Sequence, residues 1–249
     1  MNRKLGFKII RYDQITSTNE VLRKLAEEDI EPGTVVTAKI QTQGKGRMTR
    51  KWESPEGGLW MSVLLDTETG FDNEKFGLLP LMAGSSVATA IIMEYDLEAG
   101  VKWPNDVLVK GRKICGILGE LLTVNDKQMA IIGIGININN PVQNGYDFSS
   151  ISTSVAEEFG KKVKLEVLEN TILEELNFRA ELLETKEYDI ILEDWRNLSE
   201  TLGKKVTIHA PNKKITGIAK DIDENGSLLI EGEDGRVTKV IAGDCEHLG

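Results

Sequence analysis

Apolar and polar positions change period several times along the chain, and each change predicts an element. Residues 7–12 read as a strand. Ser17, followed three positions later by Glu20, predicts a capping box opening a helix whose Val21, Leu22 and Leu25 share a face. Residues 34–41 and 59–65 are β-rich, and 76–95 predicts a helix that buries Leu79, Met82, Ala83, Val87 and Ile91. A hairpin is predicted over 113–124 and 128–138, turning at Asn125, Asp126 and Lys127. From 153 to 198 the period is helical. Leu165, Leu168, Ile172, Leu176 and Leu183 line one face, and Tyr188, Ile191, Leu192 and Trp195 continue in a second helix. After Leu202-Gly203, short strands at 205–209, 215–221 and 227–231 are punctuated by Pro211, Asn225-Gly226 and Asp234-Gly235, which predicts a small β-barrel.

The pattern is that of an α+β chain, a β-sheet with covering helices over residues 1–200 and a small barrel over 201–249. A length of 249 residues, 40% hydrophobic and 28% charged, suffices for one large domain and one small one. There is no run of about 18 apolar residues, and Met1-Asn2-Arg3-Lys4 is not followed by an apolar core of signal-peptide length. The expectation is a soluble cytoplasmic protein without a membrane partner. Cys115 and Cys245 lie far apart, with Cys115 in an apolar strand pattern, so reduced, partly buried thiols are expected. The two histidines, His209 and His247, both fall in the last quarter of the chain. The main domain therefore has neither a histidine-based triad nor a His-rich metal site.

Charge sharpens the picture. The formal net charge is -10, yet residues 41–52 read Q-T-Q-G-K-G-R-M-T-R-K-W. Lys45, Arg47, Arg50 and Lys51 share this segment with Gly44 and Gly46, placing permissive backbone beside charges that can neutralise phosphate or carboxylate oxygens. Taken alone, the segment reads equally well as a solvated hairpin tip. A second segment, V-K-W-P-N-D-V-L-V-K-G-R-K-I-C-G-I-L-G-E over 101–120, brings a strand-like run to a polar corner. Pro104 fixes φ and biases Trp103 toward extended geometry, presenting Asn105 and Asp106 at a strand end. Asp106 is a candidate to hold a divalent cation on a phosphate, or it caps a turn. Lys113 is a candidate to meet a developing negative charge, or it merely flanks a strand.

Together the two segments resemble the signature of biotin protein ligases: G-R-G-R-x-G-R-x-W, then K-W-P-N-D, then a G-R-K-x-x-G-I-L-type stretch. Ser17-Thr18-Asn19 and the run G-I-G-I-N-I-N over 133–139 resemble the family's remaining blocks, in the same order. The resemblance is strong over about residues 10–140 and weaker toward the C-terminus. Two positions depart from it, Lys45 standing for Arg and Thr49 for Gly. Lysine keeps the charge and loses the planar bidentate fork, while Thr49 narrows the backbone choices of the loop.

The resemblance implies a mixed β-sheet with covering helices, similar to class II aminoacyl-tRNA synthetase and lipoate ligase folds, followed by a C-terminal SH3-like barrel. It implies a reaction in which biotin and ATP, with Mg2+, give biotinyl-5'-AMP, after which biotin passes to a lysine of a biotin carboxyl carrier domain. No protein nucleophile is needed, and the protein supplies positioning and charge neutralisation. By the same resemblance Lys113 and Arg47 are catalytic. Ser17, Thr18, Asn19 and Gln41, with Lys45, Gly46, Arg47 and Lys113, take biotin. Gly44, Lys45, Arg47, Arg50, Trp52, Asn105 and Asn137 take the adenylate, and Asp106 helps bind magnesium. Lipoate or octanoate ligation on the same fold is the enzymatic alternative, weakened because K-W-P-N-D belongs to the biotin pattern.

Other nucleotide and nucleic-acid readings fail on the residues. Gly133-x-Gly135 opens like a dinucleotide fingerprint, but Ile138 takes the third glycine position and no helix pattern follows. Gly44-Lys45 is followed by Gly46 and lacks the upstream spacing of a P-loop. A pI of about 4.9 and the lack of interleaved basic and aromatic residues argue against a nucleic-acid module. Some biotin ligases repress transcription through an N-terminal helix-turn-helix domain. Here the first strand pattern starts within about ten residues of Met1, so the short form without specific DNA binding is expected. Homodimers occur in the family.

Overall fold

The structure, a computed structural model, describes residues 6–67, 73–125, 127–142, 151–210 and 213–248. Strands β1 (Lys8–Ile15), β2 (Thr34–Gln41), β3 (Leu59–Asp66), β4 (Ala99–Lys102), β5 (Asp106–Val109), β6 (Arg112–Val124) and β7 (Lys127–Ile136) form one mixed sheet. Its order is β1-β2-β3-β7-β6-β5-β4. Only β1 and β2 pair in parallel, joined by helix α1 (Thr18–Glu27), because a parallel pair needs a crossover and a hairpin does not. The remaining neighbours are antiparallel. Between β5 and β6, Lys110 and Gly111 both adopt positive φ, 51° and 74°, as a tight two-residue hairpin requires.

The period of two along the central strands divides two cores. Leu59, Met61, Val63 and Leu65 of β3 and Ala130, Ile132, Ile134 and Ile136 of β7 face α2 (Leu78–Tyr95), α4 (Leu165–Glu184) and α5 (Tyr188–Asn197). Leu64, Met129 and Ile131 point the other way, onto Leu22 and Ala26 of α1. The helix predicted over 76–95 is α2, and its burial runs nearly all round, with Gly84, Ser85 and Ser86 also enclosed. The segment Glu74–Tyr95 is long and apolar enough to cross a membrane by length and composition, with mean hydropathy 1.8, contrary to the expectation that no such run exists. Within its apolar 18-residue window 67% is buried, which is the condition of a core helix.

The capping box at Ser17 does not form. Ser17 is the N-cap residue, at φ -155°, but its side chain makes no capping bond, and Glu20 pairs with Lys45 Nζ at 2.7 Å. A charged partner outbids a backbone amide for that carboxylate. The helical stretch after 153 holds α4 and α5 as the periodicity predicts, preceded by the short helix α3 (Val155–Phe159).

The C-terminal part is a five-stranded antiparallel sheet of β8 (Lys205–Ala210), β9 (Lys213–Ile222), β10 (Leu228–Glu231), β11 (Val237–Val240) and β12 (Asp244–His247), ordered β11-β10-β9-β8-β12. The turn positions Asp126 and Pro211 lie outside the described residues. Val206, Ile208, Ala219, Ile222, Leu228 and Ile230 join the same apolar core as α2 and the main sheet. Trp103, 1% exposed, crosses the seam, donating from its backbone N to Thr201 Oγ1 at 3.0 Å and from Nε1 to the Gly226 carbonyl at 3.0 Å.

At the same seam His247 Nε2 lies 3.2 Å from Thr201 Oγ1. Burial first, then Lys102 and Lys204, push its pKa down from 6.5 to about 4, against a smaller opposing effect of Glu200. Between those pH values the unfolded chain binds a proton that the folded chain refuses, so stability falls as pH drops through that window. His247→Gln should flatten the dependence of the urea-unfolding free energy on pH between about 6.5 and 4. Equal slopes in the two proteins would refute the assignment.

Candidate active site

The C-terminal ends of β1 and β2, the loop before β3, the β4–β5 corner and the middle of β6 and β7 converge on one cavity of about 490 Å³. Asp244 and Cys245 of β12 close one side of it. Of the residues singled out from sequence, Ser17, Thr18, Asn19, Gln41, Lys45, Gly46, Arg47, Arg50, Trp52, Asn105, Asp106 and Lys113 line the cavity. Gly44 and Asn137 do not; they stand behind its wall. A Cβ on Gly44 would lie 2.3 Å from the Trp52 carbonyl oxygen, so glycine is what lets the loop close into a hairpin. Asn137 Oδ1 accepts from Asn140 Nδ2 at 3.0 Å, and its backbone N donates to the Ile114 carbonyl at 2.9 Å.

One end of the cavity is a neutral polar nest. Gln41 Oε1 accepts from Thr18 N at 2.8 Å and Thr18 Oγ1 at 3.1 Å, while its Nε2 donates to Ser54 Oγ at 2.7 Å. Ser62 Oγ lies 2.7 Å from Thr18 Oγ1 and 2.6 Å from Asn19 Oδ1. Asn19 Nδ2 donates to Glu120 Oε2 at 2.7 Å, and Glu120 in turn pairs with Arg23 at 3.2 Å. Each amide is thereby fixed in orientation, which is what selective hydrogen bonding to a small ligand demands.

The other end is cationic. Lys113 Nζ sits 2.8 Å from Asp106 Oδ1 and 5.2 Å above the Trp52 ring, held between a carboxylate and an aromatic face. Arg47 Nη1 donates to Asn105 Oδ1 at 2.9 Å, and Asn105 Nδ2 to the Ile117 carbonyl at 2.7 Å. Burial lowers the Arg47 pKa, with Asp244 and Asp106 pulling the other way, and an arginine remains charged throughout. Lys102, 4% exposed, adds a further cation to the lining. The Cys245 thiol is pushed up to about 12, chiefly by burial, so it is no nucleophile at neutral pH.

The floor is glycine. A Cβ on Gly133 would come 2.2 Å from Asn19 Oδ1, one on Gly135 2.5 Å from Trp52 Nε1, and one on Gly116 2.9 Å from the Trp52 ring. The run G-I-G-I-N-I-N over 133–139 stood out by its resemblance to a family block, but its glycines had no role from sequence beyond a failed dinucleotide motif. The alternation of glycine with isoleucine over 132–136 is the readable signal, glycine toward the site and isoleucine into the core. Missed as well were Lys102, Asp244 and Cys245. The first opens the K-W-P-N-D block and was legible there; the other two reach the site only through folding.

Thr49 carries the loop's strain. Its φ is 63°, next to Met48 at 52°, and its Oγ1 donates to the Met48 carbonyl at 2.5 Å. A β-branched residue is disfavoured in the left-handed region by about 1–2 kcal/mol, so the family pattern's glycine at this place has a conformational reason.

Known proteins of similar sequence and structure point to one family. The profile described as the Biotin/lipoate A/B protein ligase family matches residues 12–137. The chain belongs to that family. A second profile, the biotin protein ligase C terminal domain, matches residues 201–248. The bifunctional ligase/repressor BirA of Bacillus subtilis is 33% identical over 247 residues, 97% of this chain and 74% of that protein. The biotin acetyl-CoA-carboxylase ligase of Mycobacterium tuberculosis is 31% identical over 94% of this chain and 87% of that protein. The biotin protein ligase of Aquifex aeolicus, solved in complex with biotin and ATP, superposes with a TM-score of 0.82 at 29% identity, covering 97% of this chain and 98% of that one. The Leishmania major biotin protein ligase, in complex with biotinyl-5-AMP, gives 0.67 at 25% identity, covering 94% and 98%.

Two variants test this ligase site. Gly135→Ala should displace the Trp52 ring and red-shift the tryptophan emission, since Trp60, Trp103 and Trp195 are buried to 0–1% exposure and stay dark to solvent. An unshifted spectrum would contradict the packing. Thr49→Gly relieves about 1–2 kcal/mol of left-handed strain against about 0.5–1 kcal/mol of glycine entropy. Its unfolding free energy should equal or slightly exceed that of the parent, and a loss beyond about 1 kcal/mol would contradict the strain.

Proposed function

We propose that the chain is a biotin protein ligase that converts biotin and ATP to biotinyl-5'-AMP and passes biotin to a lysine of a biotin carboxyl carrier domain. The observation that carries this is the single cavity joining a neutral hydrogen-bonding nest to a cation cluster. One end suits an uncharged ureido ring, the other a carboxylate meeting a phosphate. The names and bound ligands of the relatives point to the same chemistry.

In the first step a biotin carboxylate oxygen attacks the α-phosphorus, forming the acyl-phosphate bond as the bond to pyrophosphate breaks. In this reading Lys113 meets both the carboxylate and the α-phosphate oxygens, and Arg47 and Lys45 hold the phosphate as charge builds on it. Thr18, Asn19, Gln41 and Ser17 hold the ureido end, so the carboxylate is aimed and not merely bound. Gly46 and Arg50 complete the loop's wall, Trp52 shields the anhydride from water, and Asn105 steers Arg47. Gly44 and Asn137 act from behind the wall by shaping it. In the second step the acceptor amine attacks the acyl carbon and loses a proton, and AMP leaves.

Magnesium enters as MgATP. Among the described residues no group of three or more His, Cys, Asp or Glu side chains can hold a metal ion by itself. Asp106 is a single carboxylate beside the cationic end, which fits Mg2+ bound by one side chain plus substrate phosphates. The antiparallel C-terminal sheet supports an SH3-like barrel as a second domain over 201–249, with the catalytic domain over 1–200. Free, buried Cys115 and Cys245 suit a reducing cytoplasm.

Magnesium-dependent exchange of pyrophosphate into ATP tests the reading. It should require biotin, with neither lipoate nor octanoate substituting, and Lys113→Ala should cut adenylate formation by orders of magnitude. Exchange with lipoate or octanoate instead would select the other branch of the family, and near-normal turnover in the variant would remove Lys113 from its role.

A further inference from the structure

We infer that Asp244, on the C-terminal sheet, is a positioning residue that holds the 41–52 loop in its site-forming arrangement through Arg50. The inference rests on the ligase reading for its effect on the reaction, and on geometry alone for the tether. The Arg50 guanidinium spans both oxygens of Asp244, Nη1 to Oδ1 at 3.2 Å and Nη2 in closer contact with Oδ2. Arg47 Nη2 donates to the carbonyl of the neighbouring Gly243 at 3.0 Å. Two arginines of one short loop are thus bound to one turn nearly 200 residues away, at sequence separations of 194 and 196.

The residues between these arginines explain why a tether is needed. Met48 and Thr49 are consecutive non-glycine residues at positive φ, 52° and 63°, an arrangement that short-range backbone energetics oppose. Within the loop Gly46 N donates to the Arg50 carbonyl at 2.8 Å, Arg50 N to the Arg47 carbonyl at 3.1 Å and Trp52 N to the Gly44 carbonyl at 2.9 Å, while Lys45 pairs with Glu20 at 2.7 Å; none of these contacts fixes the loop against the C-terminal sheet. A forked carboxylate–guanidinium contact is directional enough to fix the loop against that bias. With the fork gone, Arg47 keeps its contacts to Asn105 and the Gly243 carbonyl, but the loop that covers the reactive anhydride is loosened. The C-terminal sheet therefore acts on retention of the adenylate without touching the reacting atoms.

The test uses the full chain with Asp244→Ala, Asp244→Asn, Arg50→Ala and the double variant Arg50→Ala/Asp244→Ala. In ligand-free protein, limited trypsin cleavage at Lys45, Arg47 and Lys51 is followed by mass spectrometry. Asp244→Ala should accelerate cleavage at least about tenfold while Tm stays near the parent value, since Arg50 is about half exposed and such a pair contributes little to global stability. Asp244→Asn, which keeps one acceptor oxygen, should be partly protected. Arg50→Ala should match Asp244→Ala, and the double variant should be no faster than either. With labelled biotin and MgATP, Asp244→Ala should release adenylate at least about tenfold faster, with a much smaller change in the rate of adenylate formation. Parent-like cleavage in Asp244→Ala, or single effects that multiply in the double variant, would overturn the tether. Faster cleavage with parent-like adenylate retention would overturn its role in the reaction. If the parent protein forms no adenylate, the ligase reading fails and the cleavage rates alone decide the tether.

Discussion

The site depends on a floor without side chains. Gly116, Gly133 and Gly135 leave the centre of the main sheet bare on one face, while the isoleucines between them fill the α2 core on the other. That bareness is what lets Asn19 and Trp52 lie directly on the backbone, closer than any Cβ would allow. The cavity exists because the sheet gives up apolar burial there, at a cost of order 25 cal/mol per Å2 of side-chain surface not buried. Folding strength is concentrated on the opposite face and on the Trp103 seam instead.

Above that floor, three of the site's cations have a fixed carboxylate partner. Lys45 pairs with Glu20, Lys113 with Asp106 and Arg50 with Asp244. Cations clustered this tightly repel one another, and the carboxylates hold them in place at tolerable energy. This arrangement also reconciles a basic knot with a chain of net charge -10. The protein provides orientation in advance, so little reorganisation is left for the reaction itself.

The fold was legible where one period ruled a segment. The strands 34–41 and 59–65 and the pair α4 and α5 follow from their spacing, and α2 from its apolar content, since it is enclosed nearly all round. Ser17 misled as a capping box because the pattern S-x-x-E does not say whether a lysine from another segment will claim the glutamate. The cationic loop, the K-W-P-N-D corner and the Ser17-Thr18-Asn19 block were legible as chemistry, and the structure gathers them around one cavity. Asp244 and Cys245 were not, because their place in the site is set by how the C-terminal sheet packs and by no local signal.

If one cavity receives acid and nucleotide together, nest at one end and cations at the other, a molecule that joins the two must bind as a single ligand. Calorimetric titration with a non-hydrolysable analogue of biotinyl-5'-AMP addresses it directly. The analogue should bind with one-to-one stoichiometry and several orders of magnitude more tightly than biotin alone, because the second moiety joins without a second loss of translational freedom. Affinity no better than that of biotin would mean that the two ends do not act as one site.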